Sequence, residues 1–396
     1  MISRAWPGLA AAAFFAAALP AHAAAPGVSA KDVLVGTHVD LSGPLSPMGT
    51  AVRNGLLMAF DDINARGGVG GRRLKLIAAD NGYDAKKAIL AAERLLKQDR
   101  VFAILCPSGT PPVAATMPAV LNAGILHLFP FTSPDETYVP SQPLEFAADI
   151  PVSRQIAVGL ERLLGARAEP RVGVLYRDDA FGKSVLKGAT ALLKRHRMRV
   201  AAALAFKPDS RSFARQAAQL RKAGANIVVL GATSTEVLTI ARAFRRGGPA
   251  LLCPSACYQP EVATLGGTTV DGLYSVTVAP WPYPNDRDVR VRNWVRRYET
   301  RFHAVASAQA MRAYINAFLF AEALNRAGNN PTQTSFARAL EAMPGWRDAD
   351  LPSLPVDFTA RDHLGLHDGF LVQIRNGRWE RLPPAPAPRP LCRSLR

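Results

Sequence analysis

Cysteine is scarce, with four in 396 residues, too few to staple a fold together. Cys253 and Cys257 stand four apart and could close a small loop. Zinc would need two more soft or imidazole ligands beside them, and none is there. Cys106 is expected in the interior and Cys392 in the tail. Acidic residues are also few: 31 Asp and Glu face 48 Lys and Arg, a formal net charge of +17. Such an excess can mark a nucleic-acid binder. Here the basic residues are dispersed, as in Arg242/Arg245/Arg246 and Arg290/Arg292/Arg296/Arg297, and no aromatic stripe runs through them. They read as solvated helix faces, so no nucleic-acid partner is expected. After residue 23 no continuous apolar run approaches the roughly 20 residues that span a bilayer.

Catalytic motifs are missing as well. Gly182-Lys183-Ser184 supplies the second half of a phosphate loop, but Arg177 stands where its first glycine belongs. Gly67-Gly68-Val69-Gly70-Gly71 lacks the spacing of a dinucleotide fingerprint and follows a helical stretch, so it reads as a turn. Neither a Gly-x-Ser-x-Gly elbow nor a His-Glu-x-x-His helix occurs. Asp362-His363 and His367-Asp368 have the look of metal ligands, yet they read as a polar loop. His38 and His127 fall in or beside strand-like runs. No catalytic residue, metal or cofactor is expected.

What the chain does contain begins with an export signal. Arg4, an apolar stretch over 9–19 and Ala21-His22-Ala23 fit a cleaved secretory leader over residues 1–23. Beyond it, β-branched runs and helix-spaced apolar positions alternate. Strands are predicted at 33–39, 74–79, 101–105 and 125–129, with helices at 49–65 and 85–98 and a helical stretch before 125. The alternation restarts after 150: helices at 156–164, 181–195, 213–220 and 236–244, strands at 172–176, 200–206, 227–230, 251–253 and 273–278. This order implies α/β architecture with parallel sheets covered on both faces, and the length implies two lobes. From about 286 the pattern turns helical. Residues 369–374 and the Asn376-Gly377 turn before Trp379 signal a hairpin. The Pro-rich tail 383–396 is expected to be extended.

Two loops stand out. Ser108, Gly109 and Thr110 follow one strand, and Phe131, Thr132 and Ser133 follow the next, at the edge where open α/β sheets bind ligands. They combine short hydroxyls with main-chain N–H groups and have no nucleophile–base pair nearby. Their chemistry suits holding a small polar molecule. A helix cap followed by Pro111 and Pro112 would use the same residues.

The ordered blocks resemble the exported substrate-binding proteins of branched-chain amino acid (leucine/isoleucine/valine type) ABC importers. The likeness rests on Leu41-Ser42-Gly43-Pro44, Gly49, Gly55 and Ala59. Its most specific run is Asp61-Asp62-Ile63-Asn64-Ala65-Arg66-Gly67-Gly68-Val69-Gly70-Gly71. Asp84 with Lys86, Lys87 and Ala88, the two hydroxyl loops, Asp178-x-x-Phe181-Gly182, and residues 209–213 leading into 227–231 follow in order. The resemblance implies a type I periplasmic binding fold: two doubly wound lobes joined by three crossovers, with a ligand cleft between them. Lobe 1 would hold 33–150 and 280–355, and lobe 2 would hold 151–279 and 356–382. It implies a periplasmic, non-enzymatic protein that shuts on a solute and delivers it to an inner-membrane ABC permease, with a monomer as the default association state. A sensor feeding a membrane kinase or chemoreceptor, or less naturally an exported enzyme, would share the scaffold.

By the same likeness the ligand-binding residues are Met48, Ser108, Gly109, Thr110, Phe131, Thr132, Ser133, Phe181, Thr233 and Ser255. Several depart from the family pattern. Pro107 stands where the family has a serine, Met48 stands where it has an aromatic, another aromatic often falls near Thr233, and Phe131 replaces a small residue. One partner of the family's disulfide falls on Tyr83, opposite Cys106. No carboxylate falls at Ser255 or Ala256, where the family pairs an ammonium, and Glu261 is several residues on. An ammonium buried without an anion is costly. The ligand expected is therefore a small carboxylate, amide or aromatic acid in preference to a zwitterionic amino acid.

Overall fold

A computed structural model describes residues 25–131, 142–208, 210–244 and 248–383. The expected leader, Thr132 and Ser133, Cys392 and nearly all of the tail lie outside the described residues. The chain opens with β1 (Asp32–Val39), α1 (Ser46–Ala65), β2 (Arg73–Asp80), α2 (Ala85–Lys97), β3 (Ala103–Leu105), α3 (Thr110–Asn122), β4 (Leu126–Leu128) and β5 (Glu145–Phe146). Their strands form one parallel sheet in the order β2-β1-β3-β4-β5. β3 and β4 are wholly buried, as expected where helices cover both faces of a parallel sheet. The two-residue β5 carries no sequence signal. It is placed by pairing, His127 with Glu145 and Leu128 with Phe146.

The second half repeats the plan with α4 (Val152–Gly165), β6 (Val172–Arg177), α5 (Ala180–Arg195), β7 (Ala202–Phe206), α6 (Ala214–Lys222) and β8 (Ile227–Gly231). It continues through α7 (Ser234–Phe244), β9 (Ala250–Cys253), α8 (Pro260–Leu265) and β10 (Tyr274–Thr277). Its sheet runs β12-β11-β10-β9-β8-β6-β7. The two terminal strands, β11 (Phe370–Arg375) and β12 (Arg378–Arg381), add antiparallel to its edge. Asn376 and Gly377 between them both take positive φ, 51° and 72°, as a two-residue hairpin of this twist demands.

Helices α9 (Val289–Phe302), α10 (Ala308–Arg326) and α11 (Gln333–Glu341) return to the first lobe. Phe320 of α10 packs against Phe60 and Phe102, and Phe336 of α11 lies edge-on to Phe102 at 5.8 Å. Tyr314 donates a 2.6 Å hydrogen bond to Asp62, and Arg297 and Arg301 pair with Asp62 and Asp61. The chain thus passes between lobes after β5, after β10 and before β11. α10 is apolar almost all round because α1 and the first-lobe core enclose it, so its few polar positions are conspicuous.

Cys253 and Cys257, left open as a loop closure, are free buried thiols, as is Cys106. Among the described residues no cluster of His, Cys, Asp and Glu could hold a metal. His363 instead stacks on Phe146 at 3.8 Å and pairs with Glu341. No described helix is long and apolar enough to cross a membrane.

Candidate functional site

The first-lobe wall is built on the carboxyl ends of its strands. Asp40, just past β1, accepts from the main-chain N–H groups of Gly43 (2.5 Å) and Leu45 (2.7 Å). Asp80, at the end of β2, accepts from Leu41 N–H and Ser42 Oγ. These bonds fold the 41–45 loop so that Leu45 and Met48 face the cleft. Gly109 precedes α3 with φ of 93°, and a Cβ there would press on Tyr83 and Pro112 at 3.1 and 3.2 Å. A left-handed, crowded position of this kind suits glycine alone. Of the first three residues of α3, only Thr110 has a main-chain N–H, because Pro111 and Pro112 follow. Behind the loop, Asn81 donates to Ser108 O at 2.9 Å and contacts His38 Nδ1 at 3.2 Å.

α10 completes this wall with Gln309 and Arg312. Arg312 Nη1 meets Asp149 at 2.8 Å, and its guanidinium lies over the Phe131 ring at 3.8 Å. Burial pushes the Asp149 carboxyl up and Arg312 pulls it back down. Gln309 Nε2 reaches across to second-lobe carbonyls, Tyr258 O at 2.7 Å and Ser255 O at 3.4 Å.

The second-lobe wall is a closed network. Arg177, at the end of β6, bonds Asp179 (2.8 Å) and Glu236 (2.6 Å). Asp179 caps α5 through Gly182 N–H, which sets Phe181 at the cleft. Glu236 accepts from both the N–H and hydroxyl of Thr233. Burial raises the Glu236 carboxyl, opposed by Arg177. Gln155 of α4 accepts from Ser255 N–H at 2.8 Å. The lobes also touch where Arg177 lies over Tyr83 at 5.4 Å, so the cleft is shut.

Between the walls is a small cavity lined from both lobes. Leu45, Met48, Phe131, Val152, Phe181 and Ala256 give it an apolar body, and Thr110, Asp149, Gln155, Thr233, Gln309 and Arg312 give it polar points. This mixture is that of a small-molecule site.

The family profile described as periplasmic binding protein matches residues 32–378. The chain belongs to this family. Within it, the chain is similar to the Leu/Ile/Val-binding protein homolog 7 of Brucella suis, 25% identical over 80% of this chain and 81% of the relative. A fatty acid ABC transporter substrate-binding protein from Thermomonospora curvata superposes with a TM-score of 0.80 at 21% identity, covering 91% and 93% of the two chains. A substrate-binding periplasmic protein from Ralstonia solanacearum gives 0.78 at 26% identity, covering 89% and 100%. The chain is a type I periplasmic binding protein of the branched-chain amino acid transporter type, and its curated relatives are named as binding proteins.

In this binding protein, Met48, Gly109, Thr110, Phe131, Phe181, Thr233 and Ser255 come together around this cavity. Ser108 does not line it. Its side chain is fully buried behind the wall, with Oγ 3.4 Å from Asp40 N. Thr132 and Ser133 lie outside the described residues. The Thr233 hydroxyl is already bonded to Glu236.

The sequence reading missed Tyr83, Asp149, Gln155, Gln309 and Arg312. No carboxylate stands at Ser255 or Ala256, as expected, but Asp149, more than 100 residues away in sequence, brings one to the cavity through the fold. The one signal available for Gln309 and Arg312 was their setting: polar residues one turn apart among Ala308, Ala310, Met311 and Ala313.

Proposed function

We propose that this chain captures a small polar solute in its interlobe cleft and delivers it to an inner-membrane ABC permease from the periplasm. The observation that carries the reading is a single cavity with an apolar body and converging polar groups supplied by both lobes. A solute that bridges the walls favours the closed arrangement over an open one, and that difference is the signal a permease can read. The names of the relatives, Leu/Ile/Val-binding and fatty acid substrate-binding, point to a ligand with an acidic head and an apolar body. The expected site residues are Met48, Gly109, Thr110, Phe131, Phe181, Thr233 and Ser255, with Thr132 and Ser133 beside them in sequence.

A thermal-shift screen of the purified chain against amino acids, hydroxy acids, fatty acids, aromatic acids, amides and sugars tests this. At least one class is expected to raise the melting temperature by several degrees in a saturable way. Saturating panels that leave the melting temperature unmoved throughout would count against solute capture.

A further inference from the structure

Among the described residues, two buried polar atoms beside the cavity have no partner. Arg312 is 9% exposed and Gln309 5% exposed, and both line the cavity. Arg312 Nε makes no hydrogen bond, since among the described residues the carboxylate of Asp149 takes only Nη1. Gln309 Oε1 makes none either. Its orientation is fixed, because Nε2 donates to two carbonyls and a flip would turn oxygen against oxygen. A buried donor or acceptor left alone costs about 1–3 kcal/mol, and both atoms belong to residues that line the cavity.

The two residues are three apart on α10, so their Cβ atoms are about 5–6 Å apart. The Phe131 ring at 3.8 Å holds the guanidinium in one plane. Arg312 presents its Nε edge in the fork geometry that matches a carboxylate. Asp149 has its charge matched by Arg312 on one oxygen, and its other oxygen accepts from Ile150 N–H at 2.8 Å. A ligand ammonium would lie close to Arg312 and find no uncommitted anion.

Resting on the reading of the cleft as a solute site, we propose that Arg312 and Gln309 select the ligand's head group. Its carboxylate takes the Nε edge of Arg312, and an uncharged hydroxyl or amide N–H a few bonds away donates to Gln309 Oε1. The solute is then a hydroxy acid or an amide-bearing acid with an apolar body.

The test uses calorimetry and thermal shift with four head groups on two bodies, isobutyl and phenyl: the 2-hydroxy acid, its amide, the acid without hydroxyl, and the 2-amino acid. On the preferred body the hydroxy acid should bind tightest, and the amide at least tenfold more weakly. Arg312→Gln should lose at least tenfold for the acids. Asp149→Asn, which removes a competitor for the guanidinium, should tighten them. Because Arg312→Gln alone strands Asp149, the pair Arg312→Gln/Asp149→Asn serves as a control that buries no charge. It should fold and still lose the acids. Equal binding of acid and amide, undiminished acid binding by the folded double variant, or weakening by Asp149→Asn overturns the inference. Binding in the wider screen confined to solutes without a carboxylate overturns it alone and leaves solute capture standing. No binding by any class removes both.

Discussion

The two walls of the cleft handle their polar groups in opposite ways. On the second-lobe side, Arg177, Asp179, Glu236 and Thr233 satisfy one another, and Gln155 beside them accepts from Ser255 N–H. On the first-lobe side, among the described residues, Arg312 Nε and Gln309 Oε1 have no partners, and both residues line the cavity. A network complete in itself is rigid and indifferent to the solute, whereas an incomplete one gains from whatever finishes it. The second wall is therefore the anvil that shapes the closed cleft, and the first is the wall that recognises.

The largest effect should come from breaking the anvil. Arg177→Ala leaves two carboxylates, Asp179 and Glu236, without their cation in a buried setting. Removing one partner of such a group costs about 3–5 kcal/mol. Chemical denaturation should show that loss without solute present. A loss below about 1 kcal/mol would mean that the network is not a stability element.

Next is an acid sensitivity that belongs to the recognising wall. His38 is held down to about 3 from 6.5 by burial and by the neighbouring His127. It contacts Asn81, which supports Ser108 O, and Thr116 Oγ1. The unfolded chain takes up this proton below pH 6.5, while the folded chain resists it until near 3. Stability therefore falls as pH drops through that window, by roughly 2–3 kcal/mol at pH 4.5. His38→Gln should flatten the slope between pH 6.5 and 4.5, whatever its effect at neutrality. An unchanged slope would remove His38 from the account.

The smallest effect tests the apolar lid. Phe181→Leu keeps most of the buried volume and trims the ring over the cavity. It should release solute about tenfold faster in stopped flow, about 1.4 kcal/mol, with association nearly unaltered. An unaltered off-rate would place Phe181 outside the lid.

Much of the scaffold was legible in the sequence because each element carries its own period. The strand-like runs at 227–230 and 172–176 became the fully buried β8 and its neighbour β6. Asn376-Gly377 specified its hairpin locally. The 108–110 loop was legible as a strand-end turn, though the sequence did not show that the Ser108 hydroxyl turns inward. The charged centre of the cleft was not legible. Asp149 and Arg312 meet only because the chain leaves the first lobe after β5 and returns to it through α9 and α10. One arginine among 48 basic residues carries no local mark of that meeting. Long-range encounters of this kind come from topology, and no period records them.

The central claim is that one solute contacts both walls at once. Hydrogen–deuterium exchange with and without a saturating ligand from the screen tests it most directly. Joint protection is expected of segments 45–52, 109–116 and 307–314 on the first lobe with 177–185, 232–237 and 254–259 on the second. Protection confined to one lobe, or lying away from these segments, would contradict it.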